Sequence, residues 1–294
     1  MKNVLLIGAT GNFGGRIARE LVARGANLRA LVRPASRAKL TPEIESQVEI
    51  VEDEALAFIG IESVISAVQG GPDVIVGAQL GWLAAARQAG VKRFIPSDYS
   101  FNIFGLAEGE NFNSDWRREF ARRAAEQAGP VEVVHILNGA FLDRGVLFGF
   151  LGAFDLEKGE AYLWGDGNQK MEFTTYADTA AYVAEVALAD APMPREFFVA
   201  GDSLTFHGLV EATASGLGRP IAVKRLGTLD DLNAEIVRRL QAEPRNMFAW
   251  LPLMYWRAML NGKGKLGPLM NSTFPAIHPT GVREYVKQMA SAKS

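Results

Sequence analysis

Three glycines near the N-terminus have the spacing that a phosphate-binding turn needs. Gly8, Gly11 and Gly14 follow directly on the apolar run Val4 to Ile7. Gly8 can form a tight turn, Gly11 has no side chain to hold phosphate oxygens away, and Gly14 lets the next helix pack on the strand. The free N–H groups at the start of that helix point at an anion. We therefore expect a dinucleotide pyrophosphate here; the alternative is a glycine-rich turn without a ligand.

A cation follows the second predicted strand. That strand ends at Val32, and the next residue is Arg33, where an NAD-specific site would place an acid on the ribose hydroxyls. A guanidinium matches the geometry and charge of a 2′-phosphate. The sequence therefore favours NADP(H), with Arg33 as its phosphate ligand. In the alternative these basic residues only solubilise the loop, which we expect of Arg37.

The elements that must position these residues alternate between strand and helix. The predicted strands are 3–7, 27–32, 47–51, 62–67, 92–96 and 131–137. Helical patterns between them include 13–24 and 75–90. Such alternation predicts an α/β fold with a doubly wound parallel sheet of the Rossmann type.

We expect two units. Residues 1–150 would form the NADP-binding Rossmann domain, and 171–200 would return to its sheet with a helix capped by Asp178 and a strand over 195–200. Residues 151–170 and 201–294 would form a smaller substrate-binding lobe over the carboxyl edge of the sheet, which is where α/β sheets bind ligands.

An aromatic stretch broken by a proline occupies 244–275, after helical segments near 206–217 and 228–241. These side chains suit the wall of a pocket for a flat, lipophilic ligand. They would equally suit a packed core or the face of a homodimer. The residues concerned are Met247, Phe248, Trp250, Met254, Tyr255 and Trp256.

Composition excludes several classes of function. The net charge of −2 gives no electrostatic basis for binding nucleic acid or an anionic membrane. The chain has no cysteine, and His135, His207 and His278 show no metal-ligand spacing, so we expect no metal. The longest apolar stretch is too short to span a bilayer. We expect a cytoplasmic protein.

Five ordered passages resemble the isoflavone reductase-like and NmrA-like branch of the atypical short-chain dehydrogenase/reductases. The passage from Ala89 to Tyr99 is similar to that family's AGVKRFIPSEF passage. The passage from Asn138 to Phe141 is similar to its N-x-F step, with one residue more. The passages are Gly8-Ala9-Thr10-Gly11-Asn12-Phe13-Gly14, Val32-Arg33-Pro34, Val64-Ile65-Ser66, Ala89-Gly90-Val91-Lys92-Arg93-Phe94-Ile95-Pro96-Ser97-Asp98-Tyr99 and Asn138-Gly139-Ala140-Phe141.

The resemblance implies cofactor contacts beyond the glycines. Ala67, Val68 and Gln69 and the backbone near Ser97 would flank the nicotinamide ribose, and Asn138 would lie near the nicotinamide ring. In the glycine loop, Thr10, Asn12 and Phe13 complete the expected cofactor site. Members of the family reduce aromatic or phenylpropanoid-like substrates with NADPH, or bind the dinucleotide without turning it over.

The catalytic residues match less well. None of the six tyrosines has a lysine four residues later. The family's lysine lies on the helix before the sixth strand, and alignment places Arg118 there, although arginine, with a pKa above about 12, cannot exchange protons. Either Tyr99 supplies the proton and Arg118 lowers its pKa, or Tyr99 is a pocket wall and Arg118 pairs with Asp115 or Glu119. Asp98 would be a supporting hydrogen-bonding residue.

Together these features predict an NADPH-dependent reductase of a small aromatic or apolar substrate. The alternative is a non-catalytic NADP(H)-sensing regulatory protein, and only that alternative requires a protein partner. The sequence leaves the substrate, the hydride face and the oligomeric state open.

Overall fold

Fourteen β-strands lie within residues 1–292, the part of the chain that this computed structural model describes. In chain order they are β1 (Asn3–Ile7), β2 (Asn27–Leu31), β3 (Glu49–Val51), β4 (Ser63–Ser66), β5 (Arg93–Ile95), β6 (Glu132–Val133), β7 (His135–Leu137), β8 (Ala140–Phe141), β9 (Phe154–Asp155), β10 (Glu160–Trp164), β11 (Met171–Thr174), β12 (Glu196–Phe198), β13 (Asp202–Leu204) and β14 (Ala222–Gly227).

The α-helices of the same residues are α1 (Asn12–Ala23), α2 (Pro42–Glu45), α3 (Glu54–Ala57), α4 (Gln79–Gln88), α5 (Phe112–Gln127), α6 (Tyr176–Leu188), α7 (Phe206–Leu217), α8 (Leu229–Ala242), α9 (Met247–Leu260) and α10 (Val282–Ser291). Short 3-10 helices cover Pro34–Lys39, Ile103–Gly105 and Asn271–Thr273, and π-helical turns cover Asp73–Ala78 and Val146–Phe150. None of these helices is both long and apolar enough to cross a membrane.

Six parallel strands form the main sheet in the order β3-β2-β1-β4-β5-β6. This is the strand order of dinucleotide-binding sheets, in which the order of strand addition reverses between β1 and β4 and leaves a crevice at their carboxyl ends. The predicted Rossmann-type fold is therefore confirmed.

Helices cover both faces of the sheet because β1 is apolar on both sides. Val4 and Leu6 pack with α1 and α6, whereas Leu5 and Ile7 pack with α4 and α5. All four side chains are at most 4 % exposed. Burial of each such side chain stabilises the fold by about 1.5–3 kcal/mol, so β1 holds the glycine loop at a fixed height above the sheet.

The strand predicted over 131–137 is two strands separated by Val134. β6 pairs with β5, as Arg93 stands opposite Glu132, whereas β7 pairs in parallel with β12, as His135 stands opposite Glu196. The pairing partner changes at this point, which interrupts the ladder. The strand expected over 195–200 is present as β12.

The cap of α6 differs from the prediction. Thr175 is the N-cap, and its hydroxyl oxygen accepts a hydrogen bond from the Asp178 amide. Asp178 lies three residues later, where its carboxylate accepts hydrogen bonds from the Thr175 hydroxyl and from the Thr280 amide. Sequence alone did not distinguish the two residues, since threonine and aspartate are both good N-caps.

The later part of the chain forms two small sheets, β14-β10-β9 and β13-β11-β8, packed with the helices that follow them. α7 and α8 confirm the helices expected near 206–217 and 228–241. α9 continues through Pro252, where the sequence had indicated a break. The division of the chain at residue 150 stays a prediction, and one apolar core contains residues from both sides of it, such as Phe101, Leu137 and Phe206.

Candidate functional site

Two adjoining cavities lie at the carboxyl edge of the main sheet. The first, of about 360 Å³, is lined by the glycine loop and by the ends of β2, β4 and β5. The second, of about 600 Å³, extends from it toward α9. Six residues line both cavities and mark their junction: Gln69, Asp98, Tyr99, Arg117, Phe141 and Tyr176.

The glycine loop is shaped by two contacts between backbone groups. Gly8 has φ +101°, and a Cβ there would lie 2.3 Å from the Ala67 carbonyl oxygen. A Cβ on Gly14 would lie 2.1 Å from the Gly8 carbonyl oxygen. Gly11 differs, because a Cβ there would meet only Gly8 O at 3.5 Å, an ordinary contact. The fold thus requires glycine at 8 and 14, while the openness at Gly11 is available to a ligand.

The start of α1 supplies hydrogen-bond donors to the first cavity. Gly11 is its N-cap, and no side chain caps the helix. The first N–H groups of a helix have no partner within it and carry its positive dipole end. Asn12 and Phe13 line the cavity at this point, as does Thr10. This combination suits a phosphate.

The two arginines after β2 lie in different surroundings. Arg33 is exposed and lines the first cavity. Arg37 does not line it and forms ion pairs with Glu45 at 3.3 Å and with Glu52 at 3.5 Å. Arg33 is therefore the cation after β2 that could hold a 2′-phosphate.

The turn after β4 is fixed from both sides. The Ala67 amide donates to the Ile7 carbonyl, and the Ser97 hydroxyl donates to the Val68 carbonyl at 2.7 Å. The Ser97 amide donates to the Gln79 side chain at 2.8 Å. Ala67, Val68, Gln69 and Ser97 all line the first cavity, next to the glycine loop.

Asn138 is the predicted cofactor residue that the structure places elsewhere. It is fully buried, lines neither cavity, and neither atom of its side-chain amide has a hydrogen-bond partner among the described residues. The backbone N–H of Asn138 donates to the Ser100 carbonyl, and the backbone carbonyl of Asn138 accepts a hydrogen bond from the Thr174 hydroxyl. These bonds hold it below the wall that the residues after it, Gly139 to Phe141, present to the second cavity.

Tyr99 lines both cavities, but its hydroxyl is not free. The hydroxyl donates to the Ser66 carbonyl at 3.0 Å, and the side chain is buried. Burial, and to a smaller extent the charge of Asp98, raises the pKa of Tyr99 well above its usual value of 10.0. The backbone is left-handed at this residue, with φ +31°. A phenol held in this way remains protonated and forms a wall.

Arg118 does not meet Tyr99 in the structure. Its guanidinium donates to the carbonyls of Ile103 and Leu106 and forms an ion pair with Asp115 at 2.5 Å, and it lines neither cavity. The residue that does line both cavities is Arg117. Successive residues of a helix are rotated by about 100°. Arg117 therefore lies on a different face of α5 from Arg118, the residue that the sequence predicted for the site.

Arg117 is anchored by the loop after β5. Its Nε donates to the carbonyls of Ser97 and Asp98, and its Nη1 donates to the Asn113 carbonyl at 2.9 Å. Below it, the Asp98 carboxylate is bonded to His135 Nδ1 at 2.5 Å, and both side chains are at most 1 % exposed. Asp98 thus supports the loop, as the sequence suggested, and His135 is a buried residue with a partner.

The aromatic stretch divides between pocket and core. Met247, Phe248 and Tyr255 line the second cavity, whereas Trp250, Met254 and Trp256 are buried in the core. The two groups lie on different faces of α9, so the pocket interpretation applies to the first three residues and the core interpretation to the other three.

The sequence indicated neither Arg117 nor Tyr176 as part of the site. Tyr176 is the first residue of α6, and its ring packs on Phe141 with centroids 4.3 Å apart and on Phe13 at 5.5 Å. Burial raises the pKa of the Tyr176 phenol. The signal available in the sequence for Tyr176 was its position at the start of a helix, next to the N-cap Thr175.

Within residues 1–292 no group of three acidic or histidine side chains could hold a metal ion.

The comparisons with known proteins agree with this architecture. Residues 1–106, which span β1 to β5 and the glycine loop, match the NmrA-like family. This match covers 106 of the 294 residues. The chain is also 27% identical over 205 residues to pinoresinol reductase 2 of Arabidopsis thaliana. That alignment covers 62% of this chain and 63%, slightly under two thirds, of the relative's length.

Solved structures extend the similarity in fold over 98% of this chain. AtPrR2 with NADP⁺ and (+)pinoresinol superposes with a TM-score of 0.80 at 21% identity and 98% coverage of both chains. Isoflavone reductase gives 0.81 at 19%, covering 98% of this chain and 99% of that one. The complex of leucoanthocyanidin reductase with NADPH from Vitis vinifera gives 0.80 at 20%, again covering 98% and 99%. At these identities the likeness establishes a shared fold.

Proposed function

We propose that this protein is an NADPH-dependent reductase of a small aromatic or apolar substrate. The observation that carries the proposal is the pair of adjoining cavities with six residues in common. A dinucleotide in the first cavity would end at the junction, next to a substrate in the second. NADPH supplies the hydride, and the protein supplies position and charge.

The residues of the first cavity fit NADP(H) along its length. Gly8, Gly11 and the start of α1 would hold the pyrophosphate, because they offer free N–H groups and room for oxygens. Arg33 would bind the 2′-phosphate. Val68 and Ser97 would flank the nicotinamide ribose. The relatives solved with NADP⁺ or NADPH support this assignment.

The second cavity favours an aromatic guest. Its lining is mostly apolar, with the rings of Phe101, Trp116, Phe141 and Phe150 among its walls. Apolar and aromatic walls with few polar groups are typical of pockets for such ligands. The relatives named for pinoresinol, isoflavones and leucoanthocyanidins support a substrate of this class.

A second candidate is a non-catalytic NADP(H)-responsive regulator. The observation that favours it is the absence, among the described residues that line the two cavities, of a phenol beside a lysine: the Tyr99 hydroxyl is bonded to a carbonyl, and the neighbouring Arg117 cannot exchange protons. A regulator requires that NADP⁺ and NADPH shift its conformations differently, because a ligand that binds both states equally shifts nothing.

Two measurements distinguish the candidates. Calorimetry with NADP⁺ and NADPH gives the affinity of each, and a panel of aromatic enones, benzylic ethers and quinones is assayed by loss of NADPH absorbance. We expect cofactor binding and turnover with at least one class. Binding without any turnover, together with unequal affinities for the two redox forms, would favour the regulator. No heat with either form would contradict both.

A further inference from the structure

The lining of the second cavity includes a cationic hydrogen-bond donor, the guanidinium of Arg117. Arg117 lines this cavity, and its three partners are all backbone carbonyls, accepting from Nε and Nη1. No carboxylate pairs with its guanidinium among residues 1–292, and Nη2 has no hydrogen bond there. A half-buried cation with a free pair of N–H donors therefore faces a mainly apolar space.

A second donor lies across the cavity on α9. The Tyr255 hydroxyl accepts a hydrogen bond from the Asn113 side chain at 3.2 Å, so its own proton is free to be donated. The Tyr255 ring is fixed by Phe101 at 5.4 Å and by Phe150 at 6.0 Å between centroids. Asn113 joins the two donors, because its carbonyl accepts from Arg117.

No acid in the lining neutralises this charge. Asp98 is the carboxylate among the residues of the cavity, its side chain is fully enclosed, and its Oδ2 is bonded to His135. Its Oδ1 has no hydrogen-bond partner among the described residues but is also buried, so neither oxygen is exposed to a guest. An unpaired guanidinium beside apolar walls is stabilised most by an anion that it can bind in bidentate fashion.

We infer that the substrate is an aromatic carboxylate, held by Arg117 and Tyr255 while its ring lies among the aromatic side chains. This inference rests on the proposed function and narrows it, because a neutral aromatic would leave the guanidinium unpaired. Arg117 and Tyr255 are then the residues that select the substrate's charge.

The test compares two ligands of the same shape on the protein saturated with NADP⁺. Biphenyl-4-carboxylate and biphenyl-4-carboxamide are titrated separately, and binding is followed by calorimetry and by the tryptophan fluorescence of the protein, to which Trp116 in the cavity wall contributes. We expect the carboxylate to bind about 10- to 100-fold more tightly, the range for hydrogen bonds to charged groups. Equal affinities would overturn the inference and leave the proposed reductase standing.

Variants assign the effect to a residue. Arg117→Met should bring the two affinities within about 3-fold of each other, Arg117→Lys should retain a preference for the carboxylate, and Tyr255→Phe should reduce it. The matched control is Arg118→Met, which removes a neighbouring guanidinium that lines neither cavity and should keep the full preference. Melting curves show which variants fold. Should Arg117→Met not fold, a smaller preference for the carboxylate in Tyr255→Phe tests the inference in its place.

Titration with NADP⁺ separates this inference from the function on which it rests. Arg117→Met should leave NADP⁺ affinity within about 3-fold of wild type, since Arg33 and the glycine loop hold the phosphates. Should Arg117→Met weaken NADP⁺ as much as it weakens the carboxylate, Arg117 is a cofactor ligand and the inference is overturned. Should the wild-type protein bind no NADP⁺, the proposed function fails first.

Discussion

Replacing Gly11 by alanine tests the phosphate cradle while sparing the fold. Its backbone has φ −82° and ψ 159°, which alanine adopts without strain, and the new Cβ would meet only Gly8 O at 3.5 Å. Alanine is a poorer N-cap than glycine but restricts the unfolded chain, so we expect the free energy of unfolding to change by less than about 1 kcal/mol.

The same methyl group would occupy the space that a phosphate oxygen needs. Hydrogen bonds to charged groups contribute about 1.5–3 kcal/mol each, so losing one raises the Kd for NADP⁺ by about 10- to 150-fold. Calorimetry measures the Kd, and urea unfolding measures the stability. An unchanged Kd in a folded Gly11→Ala variant would refute the assignment of this loop to the pyrophosphate.

Gly14→Ala is the matched comparison. Its Cβ would lie 2.1 Å from the Gly8 carbonyl oxygen and 2.8 Å from the Gly8 carbonyl carbon, and backbone atoms cannot move aside as a flexible side chain can. Overpacking of this kind costs about 1–3 kcal/mol. We expect this variant to lose stability as well as affinity, whereas Gly11→Ala loses affinity alone.

Three further outcomes are expected. Arg33→Gln should weaken NADP⁺ by about 1–3 kcal/mol and leave NAD⁺ binding unchanged, whereas Arg37→Gln, which removes a guanidinium already paired with glutamates, should alter neither in calorimetry. Tyr99→Phe should reduce kcat less than about 3-fold if the phenol is a wall, but should cost about 1–3 kcal/mol in urea unfolding, because it leaves the buried Ser66 carbonyl without that donor; a loss of kcat above about 100-fold would restore it as the proton donor. Hydrogen bonds from Arg238 and Arg239 lower the pKa of Glu235 from 4.5 to about 2, so its contribution to stability is present above pH 4.5 and is lost as the pH falls toward 2. Glu235→Gln should therefore be less stable than wild type at pH 7 and should approach it by pH 3, and a difference that is the same at both pH values would contradict this.

The parts of the fold that sequence predicted well are those determined by neighbours along the chain. β1, the glycine turn and α1 are adjacent, and the apolar residues of β1 require cover on both faces. The strand order then follows from short right-handed connections. Arg33 was selected from the sequence for the same reason, because it lies two residues after the end of β2, and its role as the 2′-phosphate ligand stays a prediction.

The misplaced residues depend on contacts between distant segments. α5 carries arginines at 117, 118, 122 and 123, so its charge pattern does not show which of them faces the sheet edge. Arg117 is selected by the carbonyls of Ser97 and Asp98, which lie about twenty residues away. The sequence around Arg117 carries no signal for contacts with residues so far away along the chain.

Pro252 shows a similar limit within a single helix. The residue lacks an N–H and ordinarily interrupts a helix, yet α9 runs from Met247 to Leu260 around it. Its flanks are buried, and the Trp256 indole donates to the Leu151 carbonyl at 2.7 Å. Burial of Leu251, Met254 and Trp256 outweighs the hydrogen bond that Pro252 cannot donate.

The backbone contact between Gly8 and Gly14 also bears on the kinetics of cofactor exchange. Since Gly8 packs against Gly14 in the first helical turn and against the Ala67 carbonyl, the turn cannot collapse into the space that a phosphate would occupy. Entry then requires no prior rearrangement. Stopped-flow mixing with NADPH should give one exponential whose rate rises linearly with nucleotide concentration, without the plateau of a gated encounter.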